Sequence, residues 1–404
     1  MKLLVNVDCL QAPLTGIGHY ARNLLRELSE ESRIEDIQAV RASGWASPEE
    51  LSRMLAPHSE NDSVGNVGGG EAESGFTGSI QRKSVGIIRD VVKRIPYARA
   101  LKRQLQSRVA QARENELAAY LYWEPNYNLL PIGNTALTTV HDLSHIHYPE
   151  FHPKERVDML NNHLPDSIAR AKKVITVSEF TRGEVSRHFG IAEEQILVVP
   201  PAASAEFKPY DEPQCEWVRQ HYQLPSNYIL SVGTLEPRKN LLGLIQAFSR
   251  LPSDYRDAYP LVLVGGKGWH TGAITEALAT LPEQQVFRLG YVSQYNLPKL
   301  VAAATVMAYP SYYEGFGMPV LEAMAAGTPV LTSSCSSMPE VSGGASILIE
   351  PTEVASITEG LRQLLDNESL RNRCREEGLI NATRYSWQSS AEKLLAGFQQ
   401  CRSL

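Results

Sequence analysis

Two glutamates eight residues apart, Glu314 and Glu322, bracket a glycine-rich turn in the segment "YEGFGMPVLEAMAAGTPV", Tyr313–Val330. A carboxylate can accept two hydroxyl hydrogen bonds from a diol. Between the two, Gly315 and Gly317 flank Phe316 and lead into Met318 and Pro319, a proline placed as at the first turn of a helix. Glycine lets a backbone approach a ligand closely, and the free N–H groups of a helix start attract anions. The segment therefore reads as a phosphate site with one carboxylate facing a sugar and the other a ribose. The plainer alternative is a strand, turn and helix with a solvated glutamate at each position. Upstream, Arg238 and Lys239 in "SVGTLEPRKNLLGLIQAF", Ser231–Phe248, follow one apolar run and precede another. A forked guanidinium beside an ammonium is what a diphosphate leaving group needs as its bond breaks. Two solvated cations there would instead oppose the dipole of the following helix, an unexplained cost.

Weaker signals surround these. In "TVHDLSHIHYPEFHP", Thr139–Pro153, His141 ends an apolar run beside Asp142, and His145 and His147 form a His-x-His pair. A metal reading of that pair needs further His and Asp at other strand ends, and none stands out, so no metal site is expected. Gly16 and Gly18 open a helix in "TGIGHYARNLL", Thr15–Leu25, without the full dinucleotide fingerprint. The loops "VGGKGW" (Val264–Trp269) and "LGYVSQ" (Leu289–Gln294) suit nucleotide recognition. Gly265 and Gly266 would approach ribose and base, and Tyr291 with the backbone of Val292 would meet the base edge. Ordinary turn chemistry is the competing explanation for both loops.

These groups need elements that bring them to one edge. Short apolar runs recur at Leu3–Val7, Leu137–Val140, Val174–Val177, Ile196–Val199, Tyr228–Val232, Leu261–Val264, Val286–Leu289, Val306–Tyr309, Pro329–Thr332 and Ile347–Ile349. Runs apolar throughout, alternating with helical segments, indicate parallel sheets covered on both faces. In such α/β domains ligands bind at the carboxyl ends of the strands. The chain has 404 residues, 43% hydrophobic and 21% charged, with a net charge of −6. That composition suits two or three globular domains and disfavours wholesale disorder or a nucleic-acid binder. Five scattered cysteines without paired spacing indicate reduced thiols. A proline-rich seam, Pro200–Pro213, places a domain boundary near residue 205, giving domains over 1–205 and 206–385. Ser386 is the expected N-cap of a final helix over 386–404.

In order and spacing, these segments resemble family 4 retaining glycosyltransferases, and the likeness covers nearly the whole chain. Tyr313–Val330 matches that family's E-x7-E signature. Ser231–Phe248 resembles its donor-phosphate strand and loop, Thr15–Leu25 its N-terminal glycine-rich loop, and "ITVSEFTRGEV" (Ile175–Val185) a late strand and helix of its first domain. The resemblance implies a GT-B fold: two Rossmann-like doubly wound domains facing a cleft, with the last helix packing back on the first domain. It implies a donor site of Gly16, Gly18, Gly265, Gly266, Tyr291, Val292, Gly315, Phe316, Gly317, Met318 and Glu322, with catalytic roles for His141, Arg238, Lys239 and Glu314. It implies retention, with no cofactor and no metal, because Arg238 and Lys239 take the metal's place. The subgroup most similar to it contains bacterial mannosyltransferases of surface-polysaccharide synthesis. The expected donor is GDP-mannose, and the expected acceptor a glycan or a polyprenyl-linked glycan. UDP-glucose or another hexose donor, or a non-catalytic nucleotide-sugar scaffold, are the alternatives. The chain departs from the family at "PPAAS", where relatives commonly carry a glycine turn.

One stretch falls outside this pattern. Residues 61–80 are rich in Gly and Ser, and residues 81–113 carry ten Lys or Arg against one acid, a local charge of +9. Val85, Ile88, Val92, Leu101 and Leu105 recur at helical spacing within it, with Pro96 as a break. With no apolar run long enough to span a bilayer, this stretch predicts a peripheral enzyme on the anionic inner face of the cytoplasmic membrane. A helix covering the first sheet with its arginines in solvent is the alternative.

Overall fold

The computed structural model describes residues 1–11, 14–41, 44–56, 108, 113–132, 135–266 and 268–402. The stretch 61–80 lies outside them, and so does 81–113 apart from Arg108 and Arg113; the membrane expectation therefore falls outside the described residues. Among the described residues, no helix is long and apolar enough to cross a membrane.

The chain packs as two compact units. The first comprises Met1–Thr138 and Asp166–Lys172. Its strands are β1 (Lys2–Asn6), β2 (Asp36–Arg41), β3 (Gly44–Ala46), β4 (Tyr120–Glu124) and the start of β5 (Ala136–Val140), in the order β3-β2-β1-β4-β5. β1 is parallel to both neighbours, with Val5 opposite Ala39 and Trp123, and β3 turns back antiparallel on β2. Leu3, Leu4 and Val5 are fully buried, as expected for a strand covered on both faces. β2, β3 and β4 are strands that the apolar runs do not predict. "DIQAVR" mixes polar and apolar residues, and "YLYWE" is dominated by aromatic rings. Their strand character comes from pairing, β2 and β4 with β1 and β3 with β2, rather than from an uninterrupted apolar run.

The second unit comprises Thr139–Pro165 and Lys173–Leu404. It holds the parallel pair β6 (Lys173–Thr176) and β7 (Ile196–Val198). It also holds a six-stranded sheet of β8 (Ile229–Val232), β9 (Leu261–Val264), β10 (Val286–Gly290), β11 (Val306–Tyr309), β12 (Val330–Ser333) and β13 (Ile347–Ile349). The order is β10-β9-β8-β11-β12-β13, parallel throughout. Helices Leu241–Ser249 and Val354–Asp366 close one face, and their Leu244, Phe248, Ile357 and Leu361 join Ile229, Leu263, Val306 and Leu331 in one core. The last helix, Trp387–Arg402, starts one residue after Ser386, whose hydroxyl accepts from Ser389 N at 3.1 Å, the capping expected of it. That helix packs against β7, and Ser390 Oγ donates to Pro200 O at 2.5 Å.

Candidate active site

The strand order of the second sheet reverses between β8 and β11. β8 leads outward to β9 and β10, and β11 leads the other way to β12 and β13. The loops leaving these two neighbours therefore diverge and open a crevice at the carboxyl edge. The loop after β8 carries Arg238 and Lys239 in a tight turn, Pro237–Lys239. Asn240 then adopts a left-handed conformation (φ 53°), accepts from Gly243 N at 3.2 Å and donates to Pro351 O at 2.7 Å. It thereby caps the next helix and fixes the turn. The loop after β11 carries Glu314.

These side chains meet. Glu314 Oε2 lies 2.7 Å from Arg238 Nη1, and Glu314 Oε1 lies 2.6 Å from Lys239 Nζ. Arg238 Nη2 lies 2.7 Å from Glu236 Oε1, and Arg238 Nη1 also donates to Tyr313 O at 2.8 Å. Tyr309, the last residue of β11, donates its hydroxyl to Glu314 Oε1 at 3.0 Å and accepts from Lys239 Nζ. Two acids and two bases thus form a neutral cluster whose side chains are all at least 86% buried. Burial alone would raise the Glu314 carboxyl, but Arg238 and Lys239 outweigh it and hold the group at about 2. Burial also opposes the charge on Lys239, and Arg238 adds to that, so its ammonium sits below the usual value. Among the described residues, Arg238 Nε is buried without a hydrogen-bond partner. The result is a preorganised, water-poor cationic pair held by carboxylates, suited to stabilising negative charge that develops beside it.

The backbone after Glu314 adds an anion cradle. Gly317 has φ +97° and precedes the helix Met318–Ala325, with Pro319 in its first turn. No acceptor meets the N–H of Gly315, Phe316, Gly317 or Met318 among the described residues. Successive free N–H groups running into a helix start concentrate positive potential. Gly315 is required by packing: a Cβ there would lie 1.8 Å from the carbonyl oxygen of His141. That contact places His141, the first residue after β5, directly against the loop of Glu314. Its neighbour Asp142 accepts from Ser144 N (3.0 Å) and Ser144 Oγ (2.7 Å). Burial would raise the Asp142 carboxyl, yet the field of Arg238 and the Ser144 hydrogen bonds hold it well below the ordinary carboxylate range.

The other histidines of this segment take different places. His145 is buried, and that burial lowers its ring to about 4. His147 pairs with Glu184 and packs 5.4 Å from the Tyr313 ring. His152 is buried 6.3 Å from the ring of Trp269, whose Nε1 donates to Phe151 O at 2.5 Å.

The remaining expected site residues are less tightly gathered. Gly265 has φ +146°, and a Cβ on it would lie 1.8 Å from Gly233 O, so its close approach is to backbone; Gly266 faces open space. Gly233 in turn abuts the Lys239 side chain. Tyr291 is 67% exposed and Val292 is buried. Glu322 sits inside the helix after the cradle, without a hydrogen-bond partner for its carboxylate among the described residues, and burial raises it to about 7. In the first unit, Gly16 starts the helix Gly16–Ser29 with nothing among the described residues within 4 Å of the place of a Cβ, whereas a Cβ on Gly18 would meet Cys9 O at 2.5 Å. Glu236, Tyr309 and Tyr313 also belong to the cluster; Glu236 and Tyr313 lie within the two quoted segments, but neither is singled out there as a site residue. Only the position of Tyr309 at a strand's carboxyl end points to it.

Comparison with known proteins agrees with this architecture. The family "Glycosyltransferase Family 4" matches residues 82–207 and "Glycosyl transferases group 1" matches residues 218–379. O-antigen chain mannosyltransferase B of Escherichia coli is 33% identical over 401 residues, 99% of this chain and 100% of that protein. A serotype-specific mannosyltransferase of the same organism, WbdA, is 30% identical over 57% of this chain, which spans 29% of its length. Anabaena Alr3699/HepE, solved in complex with UDP and glucose, has the same fold: TM-score 0.69 and 16% identity over 99% of this chain and 100% of that one. With a full-length relative at that identity, two parallel-sheet α/β domains and a cation–carboxylate cluster at the reversal point of the second sheet, the chain belongs to glycosyltransferase family 4.

Proposed function

We propose that this glycosyltransferase moves mannose from GDP-mannose to a glycan or polyprenyl-linked glycan in surface-polysaccharide synthesis, with retention at the anomeric carbon. The observation that carries the reading is the Arg238–Lys239–Glu314 cluster beside the N–H groups of residues 315–318, which meet no acceptor among the described residues. In this reading the diphosphate lies on the cradle, and Arg238 and Lys239 take up its charge as the glycosidic bond breaks. Glu314 exchanges part of its ion pairing for the hexose, Glu322 accepts from the ribose, and His141 faces the sugar. The acceptor hydroxyl attacks from the face the diphosphate leaves, and a phosphate oxygen takes its proton. No metal is required, since two fixed cations already meet the leaving group. The name of the full-length relative supports mannose and an O-antigen acceptor.

The test is nucleotide release from a panel of GDP-, UDP- and ADP-sugars, with and without chelator. GDP-mannose should be the preferred donor, and activity should survive chelation. Preference for UDP-glucose or another donor would reassign the sugar. Loss on chelation restored by manganese or magnesium would overturn the leaving-group chemistry. No turnover of any donor despite nucleotide binding would make the protein a scaffold.

A further inference from the structure

The carbonyl groups of the cradle are held from behind by hydroxyls. Ser337 Oγ lies 2.9 Å from Glu314 O and 3.0 Å from Phe316 O, sharing its single proton between them. Gly315 O accepts from Ser178 Oγ at 2.6 Å and from Thr181 Oγ1 at 3.1 Å. All three hydroxyl residues are fully buried, so water does not compete for these carbonyls. A trans peptide is planar, and its N–H points opposite to its C=O. Fixing the carbonyls of Glu314, Gly315 and Phe316 therefore fixes the N–H groups of Gly315, Phe316 and Gly317. Because one hydroxyl holds the first and third carbonyls, the N–H groups of Gly315 and Gly317 share a side, the arrangement of an anion-binding nest.

The Ser178 end is itself anchored. Ser178 Oγ accepts from Thr181 N at 3.0 Å, capping the helix Glu179–Phe189. Glu340 supplies a second cap, accepting from Glu179 N and Phe180 N, both at 2.9 Å. Glu340 lies three residues beyond Ser337, so the two groups of hydroxyls are tied to one another through a short helix, Met338–Ser342.

We propose that Ser337, Ser178 and Thr181 are positioning residues that aim three successive peptide N–H groups at the terminal phosphate of the bound nucleoside diphosphate. The inference rests on the donor-site reading above and extends it from the groups that touch phosphate to those that aim them. All three hydroxyls are spent on the carbonyls behind the cradle, so their loss should act on diphosphate and leave a monophosphate untouched.

The experiment is calorimetric titration of the full chain with GDP and GMP, repeated with UDP and UMP, alongside melting midpoints. Ser337→Ala should weaken diphosphate binding about tenfold and raise the KM for the nucleotide sugar in parallel, with monophosphate affinity unchanged. Ser337→Thr, which keeps a hydroxyl, should restore it. The double variant Ser178→Ala/Thr181→Val tests the other carbonyl independently and should show the same split. Diphosphate affinity within about twofold of wild type in both folded variants, or equal losses for mono- and diphosphate, would overturn the proposal while leaving the donor-site reading intact. If the wild type binds neither diphosphate, the donor-site reading falls and this inference falls with it.

Discussion

Glu314 shows how burial changes what a single residue can be asked to do. Its carboxylate balances two buried cations, so Glu314→Ala should cost about 3–5 kcal/mol of stability by leaving them uncompensated. Glu314→Gln, which keeps shape and one acceptor, is the variant on which turnover should be read, and kcat should fall about 10²-fold or more. Wild-type turnover in that variant would remove Glu314 from the chemistry. The acid limb follows from the same pairing. The carboxyl is held at about 2 against an ordinary 4.5, so its contribution is complete above 4.5 and is lost as the pH falls towards 2.

Glu322 is shifted the opposite way. Burial raises it to about 7, and among the described residues no cation offsets that. If it accepts from a ribose diol, nucleotide affinity should rise as the pH climbs through 7 and the carboxyl ionises. Glu322→Gln should flatten that dependence and weaken binding several-fold. A pH-dependent affinity unchanged in the variant would exclude the role.

Among elements, the paired strand ends of the first unit carry an unexpected polar network. β1 ends at Asn6 and β4 at Glu124, and both side chains are buried. Asn6 Nδ2 donates to Glu124 Oε2 at 2.9 Å, Tyr122 OH to the same oxygen at 2.7 Å, and Asn126 N to Oε1 at 3.2 Å. Asn6 Oδ1 in turn accepts from Asp8 N at 3.0 Å, which fixes the turn whose Cys9 carbonyl packs against Gly18. Burial raises Glu124 from the usual 4.5 to about 8, with its hydrogen bonds only partly offsetting it. A raised carboxyl favours the protonated fold, so the group's contribution is full below 4.5 and is lost as the pH rises through 8. Glu124→Gln cannot accept from all three donors, and at pH 5 it should be less stable by about 1–3 kcal/mol. By pH 9 the gap to wild type should narrow or reverse in denaturant titrations. Parallel curves at both pH values would contradict the raised ionisation.

For the whole molecule, the charge distribution makes a prediction that the sequence alone carries. Residues 81–113 hold +9 in a chain whose total is −6. Anionic lipid attracts such a stretch by about 1 kcal/mol per nearby Lys or Arg, less in salt. The full chain should float with liposomes containing anionic lipid at low salt and less so at high salt. Reversing charge at Lys93, Arg94, Lys102 and Arg103 should abolish flotation, and equal flotation of both proteins would end the membrane proposal.

Periodicity and local chemistry make much of this protein legible in its sequence. Runs such as "LVLV" over Leu261–Val264 read as buried strands, because they are too short for a helix, rich in branched side chains and closed by a glycine pair. Gly317 before Met318 and Pro319 announces a helix start and its free N–H groups, since those preferences are local. β4 is not legible, because "YLYWE" becomes a strand through its partner β1 rather than through its own pattern. The reason for Gly315 and Gly265 is also hidden: each is small because a distant carbonyl, His141 O or Gly233 O, occupies the place of its side chain. Arg238, Lys239 and Glu314 are recognisable as residue types at strand ends. That they form one buried, mutually neutralised cluster depends on β8 and β11 lying side by side, a contact across some 75 residues that no local spacing encodes. Spacing along the chain determined which groups could do chemistry. The strand order determined which of them meet, because Coulomb and hydrogen-bond energies act over a few ångströms of space regardless of distance in sequence.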